Sequence, residues 1–165
     1  MCIRDRLIAF DSFGVKSSCF CINGDVKIVV DPGVAYETGS FPLSWAKRMW
    51  LLAKYERKIR KVCKKSDVIV ITHYHYDHHI PDQDIYEDKI LLIKDPKKNI
   101  NRSQRERAAE LLNGLKADIR IADGKSFKFG DIELEFTKPL WHGVENTNLG
   151  FVIALTINHD KRIFY

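Results

Sequence analysis

The segment that most constrains this chain is Asp67-Val-Ile-Val-Ile-Thr72, which runs without a break into His73-Tyr-His-Tyr-Asp-His-His79. An uninterrupted run of β-branched residues has no wet face. It predicts a strand covered on both sides, in the interior of a layered fold. Six histidines occur in the chain, and four of them stand in the seven residues directly after this run. Imidazole is the commonest metal-ligating side chain, and a carboxylate is a hard oxygen ligand. In extended backbone His73, His75 and Asp77 project to one side, and a turn then lets His78 swing towards the same space. That pattern suits two adjacent metals, one fed by His73 and His75, the other by Asp77 and His78. A structural zinc site would call for nearby cysteines, and none lies close in sequence.

The rest of the chain supplies the layers. Leu7–Phe10, Ser18–Ile22 and Val26–Val30 read as strands, the last two joined at the turn Asn23-Gly24-Asp25. Asp31-Pro32-Gly33 then stops the third strand and leaves Asp31 at its tip. Pro42 is placed to open a helix that runs to about Lys65, with Trp45, Met49, Leu52, Ile59 and Val62 as its buried stripe and Tyr55 bridging the long step. Lysines and arginines fill its other face. Ile90–Ile93 reads as a second buried strand. Ser103 and Glu106 form a capping box for a second helix that Gly114 ends. Ile119–Ile121, Ser126–Phe129, Ile132–Phe136, Leu149–Ile157 and Arg162–Tyr165 complete the strands. Hairpins mixed with crossovers favour a sheet-on-sheet core flanked by helices over a doubly wound parallel sheet.

With 165 residues the chain suffices for one domain, expected over residues 7–165. Residues 1–6 break abruptly with the strand pattern that begins at Leu7 and are expected to be a non-native leader. Cys2, Cys19, Cys21 and Cys63 are expected to be reduced thiols of a cytoplasmic protein. A Cys-x-Cys pair in a strand is awkwardly spaced for a disulfide, and its use as a metal site is the weaker reading. No run of about 20 apolar residues is present, so no membrane association is expected. The net charge is +5, which points to an anionic small-molecule or nucleic-acid substrate. Lys97, Lys98, Arg102, Arg105 and Arg107 cluster near the start of the second helix, and Asn101, Arg102 and Arg105 are candidate substrate-binding residues. Oligomeric state is not written in the sequence.

Thr72-His-Tyr-His-Tyr-Asp-His78 resembles the His-x-His-x-Asp-His signature of the metallo-β-lactamase superfamily. Asp31 matches that superfamily's first-motif aspartate, and His142, in Leu140-Trp-His-Gly143, its third-motif histidine. The stretches DPG, ITHYHYDHH, KDPKKNINRSQRERA, ADGKSFKFG and PLWHG resemble a narrower family of predicted metallo-β-lactamase-fold hydrolases. The resemblance implies an αββα sandwich of mixed α/β class, incomplete at its C-terminal end. It implies that His73, His75 and His142 hold a first metal and Asp77 and His78 a second. Asp31 would support the centre, and Asp77 would also orient the attacking hydroxide; His79 lies beyond the superfamily pattern and is expected to pack against the site. Zinc is the implied metal, two ions in a full-length protein, with iron or manganese as alternatives. The superfamily adds a bridging aspartate and a final histidine after a strand like Arg162–Tyr165, so the chain is expected to be C-terminally truncated. His159 and Asp160 sit in a turn and are not assigned those roles. The implied activity is hydrolysis by a metal-activated hydroxide. A phosphoester substrate is placed ahead of a thioester or lactam, and a non-catalytic nucleic-acid-binding module is the reading from another class.

Overall fold

The computed structural model describes residues 6–39, 41–145, 147–158 and 162–164, the last group by backbone alone. Among the described residues twelve strands and two α-helices succeed one another as β1 (Arg6–Phe10), β2 (Ser18–Asn23), β3 (Lys27–Val30), α1 (Trp45–Cys63), β4 (Val68–Ile71), β5 (Ile90–Ile93), α2 (Arg102–Leu112), β6 (Asp118–Ile121), β7 (Ser126–Phe129), β8 (Ile132–Phe136), β9 (Leu140–Trp141), β10 (Phe151–Val152), β11 (Leu155–Asn158) and β12 (Arg162–Phe164). Six strands form one sheet in the order β1-β2-β3-β4-β5-β6, and four form a second in the order β12-β11-β8-β7. β1, β2 and β3 are antiparallel neighbours, whereas β3 to β6 run parallel.

The period-two geometry of strands explains how one apolar run serves two cores. Ile69 and Ile71 of β4 face a core shared with Leu51, Ile59 and Cys63 of α1 and Ala108 and Leu111 of α2. Val68 and Val70 face the other way, onto Leu134, Phe136, Leu155 and Ile157 of the second sheet. All four β4 residues have no exposed surface, as expected of a strand covered on both sides. Helices, first sheet and second sheet are therefore stacked in that order, and the chain has the layered α/β architecture of a metallo-β-lactamase-like fold. Among the described residues both helices lie on the same side of the first sheet.

Several expectations are corrected. α1 begins at Trp45, not at Pro42, because the Oγ of Ser44 accepts from the backbone N–H of Lys47 and caps it. Its buried line is Leu51, Ile59 and Cys63, with Tyr55 and Val62 packed beside it. Trp45 and Met49 are instead 76% and 39% exposed. The second helix is capped by Asn101, whose Oδ1 accepts from Gln104 N at 2.8 Å, so Ser103 lies inside the helix rather than at a capping box. Arg6, assigned to the leader, pairs with Cys21 as the first residue of β1. Residues 1–5, His159, Asp160 and Tyr165 lie outside the described residues.

The expected strand Leu149–Ile157 is two strands broken at Ile153-Ala154. β10 pairs with β9, a two-residue strand that the pattern did not announce. Cys19, Cys21 and Cys63 are buried in the helix-side core. Burial pushes the Cys63 thiol up to about 12, so it stays neutral.

Candidate metal centre

β3 and β4 end side by side in the middle of the first sheet, and both hand their last residues to the site. Asp31 comes directly after β3 with φ of 46°, a left-handed conformation that Asp tolerates better than most residues. Its N–H donates to Val70 O at 2.9 Å, which holds it at the tip of β4. The carboxylate is fully buried. It accepts from Thr72 N at 2.8 Å, from Thr72 Oγ1 at 2.6 Å and from His78 Nδ1 at 2.7 Å. Asp31 thus organises the loop after β4 and is not among the grouped metal-ligating atoms.

The loop itself is a tight turn. His78 N and His79 N both donate to His75 O, at 2.9 and 3.1 Å. That turn swings His78 back until its ring centroid lies 3.9 Å from that of His73. Tyr74 points the other way into the helix-side core, and its hydroxyl donates to Lys94 O at 2.6 Å. Turning the loop so sharply presses its backbone onto Gly33. A Cβ built at Gly33 would meet His78 N and His79 N at 2.2 Å. Ser17 Oγ donates to Gly33 O at 2.6 Å and fixes that segment from below.

His142 arrives from elsewhere in the chain. β9 and β10 make a short ribbon in which Trp141 stacks on Phe151, their ring centroids 4.2 Å apart. His142 N donates to Gly150 O at 2.9 Å, and Ile153 N donates to Thr72 O at 3.2 Å, docking the ribbon on the loop. The rings of His73 and His75 then lie 4.8 and 4.9 Å from that of His142. One nitrogen from each of these three imidazoles falls within 4.8 Å of the others. His73 Nε2 and His75 Nδ1 are 3.2 Å apart. Two ligands of a tetrahedral zinc, each about 2.0–2.1 Å from the ion, would be about 3.3 Å apart.

Charge favours the same use. Burial, reinforced by His78 and His75, holds His73 well below the ordinary histidine range. Burial also brings His75 down to about 4, with His142 adding to it. Both rings are therefore neutral at pH 7 and have lone pairs to give. Thr72 Oγ1 donates to Asp31, so it can only accept from His73 Nδ1 at 3.2 Å, which leaves Nε2 of His73 free to ligate. Three imidazoles converging at this spacing, with His73 and His75 neutral, fit a zinc-type ion.

Asp77 and His78 sit beside that triad, with Asp77 Oδ2 and His78 Nε2 3.7 Å apart. They are the two residues expected from the sequence to hold a second metal. Burial works to lower His78, but the Asp31 carboxylate outweighs it and raises the imidazole above its usual value. His79 is buried behind the loop, with Nδ1 donating to His75 O at 2.9 Å, and burial takes it down to about 4.

The candidate substrate residues are placed differently from one another. Asn101 reaches the ribbon, its Nδ2 donating to Asn148 O at 2.6 Å. Arg102 is 93% exposed and paired with Glu106 at 2.8 Å. Arg105 lines a separate groove with Pro96, Lys97, Glu110 and Leu112. The open cavity over the histidines, about 300 Å³, is lined by Ser18, Trp141, Val152 and Ile153 beside Asp31, His73, His78 and His142. Two contributors to the site are not among the expected site residues. Gln104, fully buried on α2, lies 3.3 Å from His75 Nε2. Gly33 was read as a strand stop, and its contact with the loop became visible only in three dimensions.

A two-sheet core whose central strands deliver a cluster of histidines at their C-terminal ends is the layout of the metallo-β-lactamase fold. The sequence model of the beta-lactamase superfamily domain matches residues 27–165, and the chain belongs to that family. It is similar to a UPF0282 protein of Methanopyrus kandleri, 41% identical over 174 residues covering 94% of this chain and 59% of that protein. It is similar as well to a UPF0282 protein of Korarchaeum cryptofilum, 40% identical over 163 residues covering 95% and 54%. The chain thus spans between half and three-fifths of these relatives. Among solved structures, the metallo-β-lactamase of Cronobacter sakazakii with the HARLDQ motif superposes with a TM-score of 0.53 at 12% identity, over 98% of this chain and 57% of that one. An isothiocyanate hydrolase from Delia radicum gut bacteria gives 0.52 at 15% identity, over 92% and 59%. At such identities these two likenesses speak for the fold alone. No helix among the described residues is long and apolar enough to cross a membrane.

The buried imidazoles carry a pH effect. His75 and His79 fall to about 4 in the folded state, against an ordinary value of 6.5. Between those values the unfolded chain binds more protons than the folded one, so stability falls as pH drops through that window. His78, raised instead, contributes stability below its ordinary pKa that is lost at higher pH, and so opposes the trend. Two lowered rings with His73 outnumber one raised ring. Chelator-treated protein is expected to lose urea midpoint between pH 6.5 and 4.5, and His79→Asn to lose less. Equal slopes in the two proteins would contradict the assignment.

Proposed function

We propose that the protein is a metal-dependent hydrolase whose first metal is held by His73, His75 and His142. The observation that carries this reading is the convergence of three imidazoles, each offering a nitrogen within 4.8 Å of the others, beside the C-terminal end of β4. Asp77 and His78 are proposed to hold a second ion together with groups outside the described residues. Zinc suits an all-imidazole set, with iron or manganese as alternatives. When bound, the metal supplies Lewis acidity and brings the pKa of a water down to about 7. The chain's own residues do the rest. Asp31 holds Thr72 and His78 in place, Thr72 fixes the tautomer of His73, and Asp77 can accept a proton at its carboxylate. Trp141, Val152 and Ile153 line the approach and exclude water beside the reacting group.

The substrate is proposed to be anionic, with a phosphoester first, supported by the net charge of +5. A thioester or lactam is the second reading. It is supported by the cavity lining, which includes Trp141, Val152, Ile153 and Ala154 and, among the described residues, no Lys or Arg. A cytoplasmic location is part of the same proposal.

The test is metal content and turnover of the full-length protein. His73→Ala/His75→Ala is expected to lose bound zinc and at least a thousandfold in kcat/KM, with little change in melting temperature once metal has been removed from both proteins. Wild-type protein that purifies without metal and does not take up zinc would overturn the reading. It would leave the nucleic-acid-binding alternative, which predicts that the double variant binds nucleic acid normally. Bis-p-nitrophenyl phosphate, a thioester and a lactam assayed side by side separate the two substrate classes.

A further inference from the structure

The six-stranded sheet has two edges, and they are finished differently. On β1 the ladder to β2 shifts register between Leu7 and Ala9, and Lys58 Nζ donates to Ile8 O at 2.9 Å. An irregular ladder and a lysine on the backbone are common ways of closing a sheet edge to further strands. β6, at the other end, has neither. It pairs with β5 on one side, and among the described residues no strand pairs with its other side. Asp118 N donates to Lys89 O and Ala122 N to Ile93 O, at 2.9 and 2.8 Å, so the even-numbered residues of β6 bond towards β5. The N–H and C=O groups of Ile119 and Ile121 therefore point outwards.

The side chains of β6 are open as well. All four residues are exposed, Ile119 and Ile121 at 39% and 37%. These two stand in register with Leu91 and Ile93 and so share the helix side of the sheet. Asp118 and Arg120 stand on the opposite face, where Arg120 Nε donates to both carboxylate oxygens of Asp118 at 3.2 and 3.1 Å. Their charges cancel, so the strand carries no net charge to repel another. Two exposed isoleucines beside an open backbone edge make a surface that a further strand can cover.

We propose that β6 pairs with β6 of a second copy of this chain, antiparallel about a two-fold axis at Ile119, so that two six-stranded sheets join into one. Such a contact is made by the same surface on both copies and closes on itself. Charge selects both the occupant and the register. Opposite charges directly across an antiparallel pair are favourable, and like charges are unfavourable. Centred on Ile119, the pairing sets Asp118 against the partner's Arg120, and symmetry repeats the contact. The strand is thus complementary to itself. Centred on residue 120, the pairing would set Arg120 against its own copy. Centred on Ile121, it would set Asp118 and Arg120 against glycine and alanine. The favoured register also places Ile119 against the partner's Ile119 and Ile121 against the partner's Ala117, apolar against apolar. With four residues a side the interface is small, and a Kd on the order of 10 µM is expected.

Sedimentation equilibrium measures the association, and amide hydrogen exchange at Ile119 and Ile121 locates it. Both amides are expected to gain protection as protein concentration rises. Asp118→Arg and Arg120→Asp are each expected to weaken the dimer about tenfold, and the double swap to restore it to within about threefold of wild type. Ile119→Lys is expected to leave a monomer with an unchanged far-UV spectrum. In a Cys2→Ser background, Ile119→Cys is expected to form an intermolecular disulfide in a glutathione buffer, since residues paired there have Cα atoms about 5.5 Å apart. Ile121→Cys is expected not to, because its two copies would lie about 14 Å apart along the strands. Protein that stays monomeric up to about 1 mM overturns the inference. So does a dimer that is indifferent to Ile119→Lys, a double swap that restores nothing, or a cross-link through residue 121 in place of 119. Amides protected equally at every concentration overturn it too, since a segment of the same chain would then cover the edge.

Discussion

Gly33→Ala is expected to cost about 3 kcal/mol and to lower the melting temperature by roughly 10 °C. The added Cβ would lie 2.2 Å from His78 N and His79 N and 2.4 Å from Asp77 C, and all three are backbone atoms. No rotamer change relieves such a contact. The loop must lift away from β3, carrying Asp77 and His78 with it. Zinc uptake should fall together with stability. Gly39→Ala is the control, since its Cβ would meet nothing within 4 Å. A Gly33→Ala protein melting within about 2 °C of wild type would show that the loop is not seated on this residue.

Asp31→Ala has an expected cost of about 3 to 5 kcal/mol, because it strands Thr72 N–H, Thr72 Oγ1 and His78 Nδ1 in a buried site. The φ of 46° adds strain for Ala that Asp and Asn tolerate. Asp31→Asn should therefore fold better than Asp31→Ala. It keeps one acceptor oxygen but removes the charge, and His78 in metal-free protein should then titrate lower, since burial is no longer opposed by a carboxylate. Histidine NMR titration measures this. A His78 pKa unchanged in Asp31→Asn would mean that Asp31 is not what raises it.

How far the residues announced these features depends on the range of the interaction. β4 was legible because its apolar run needs no partner to be recognised, and the histidines after it because nothing else explains their density. The strands with clean alternation, such as Ile132, Leu134 and Phe136, were legible for the same local reason. The stripe of α1 was misread in its first turns, where Trp45 and Met49 look buried by period but are exposed. The ribbon carrying His142 was partly hidden, since two residues show no periodicity and its pairing is set by Trp141 on Phe151. Gln104 reads locally as one polar residue in the first turn of a helix. Its importance comes from a ring 29 positions away in the chain, and no local signal encodes that.

The pairing of Asp31 with the loop after β4 has a consequence for how the molecule assembles. Its bonds to Thr72 span 41 positions and its bond to His78 spans 47. Gln104 reaches Leu149 across 45. None of these contacts can form in a nascent hairpin or an isolated helix, and each requires a long loop to close first. During refolding the strands and helices should therefore gain their far-UV signal before the three imidazoles come within reach of one another. Metal capture measured in stopped flow would then report the final step of folding, not its nucleation.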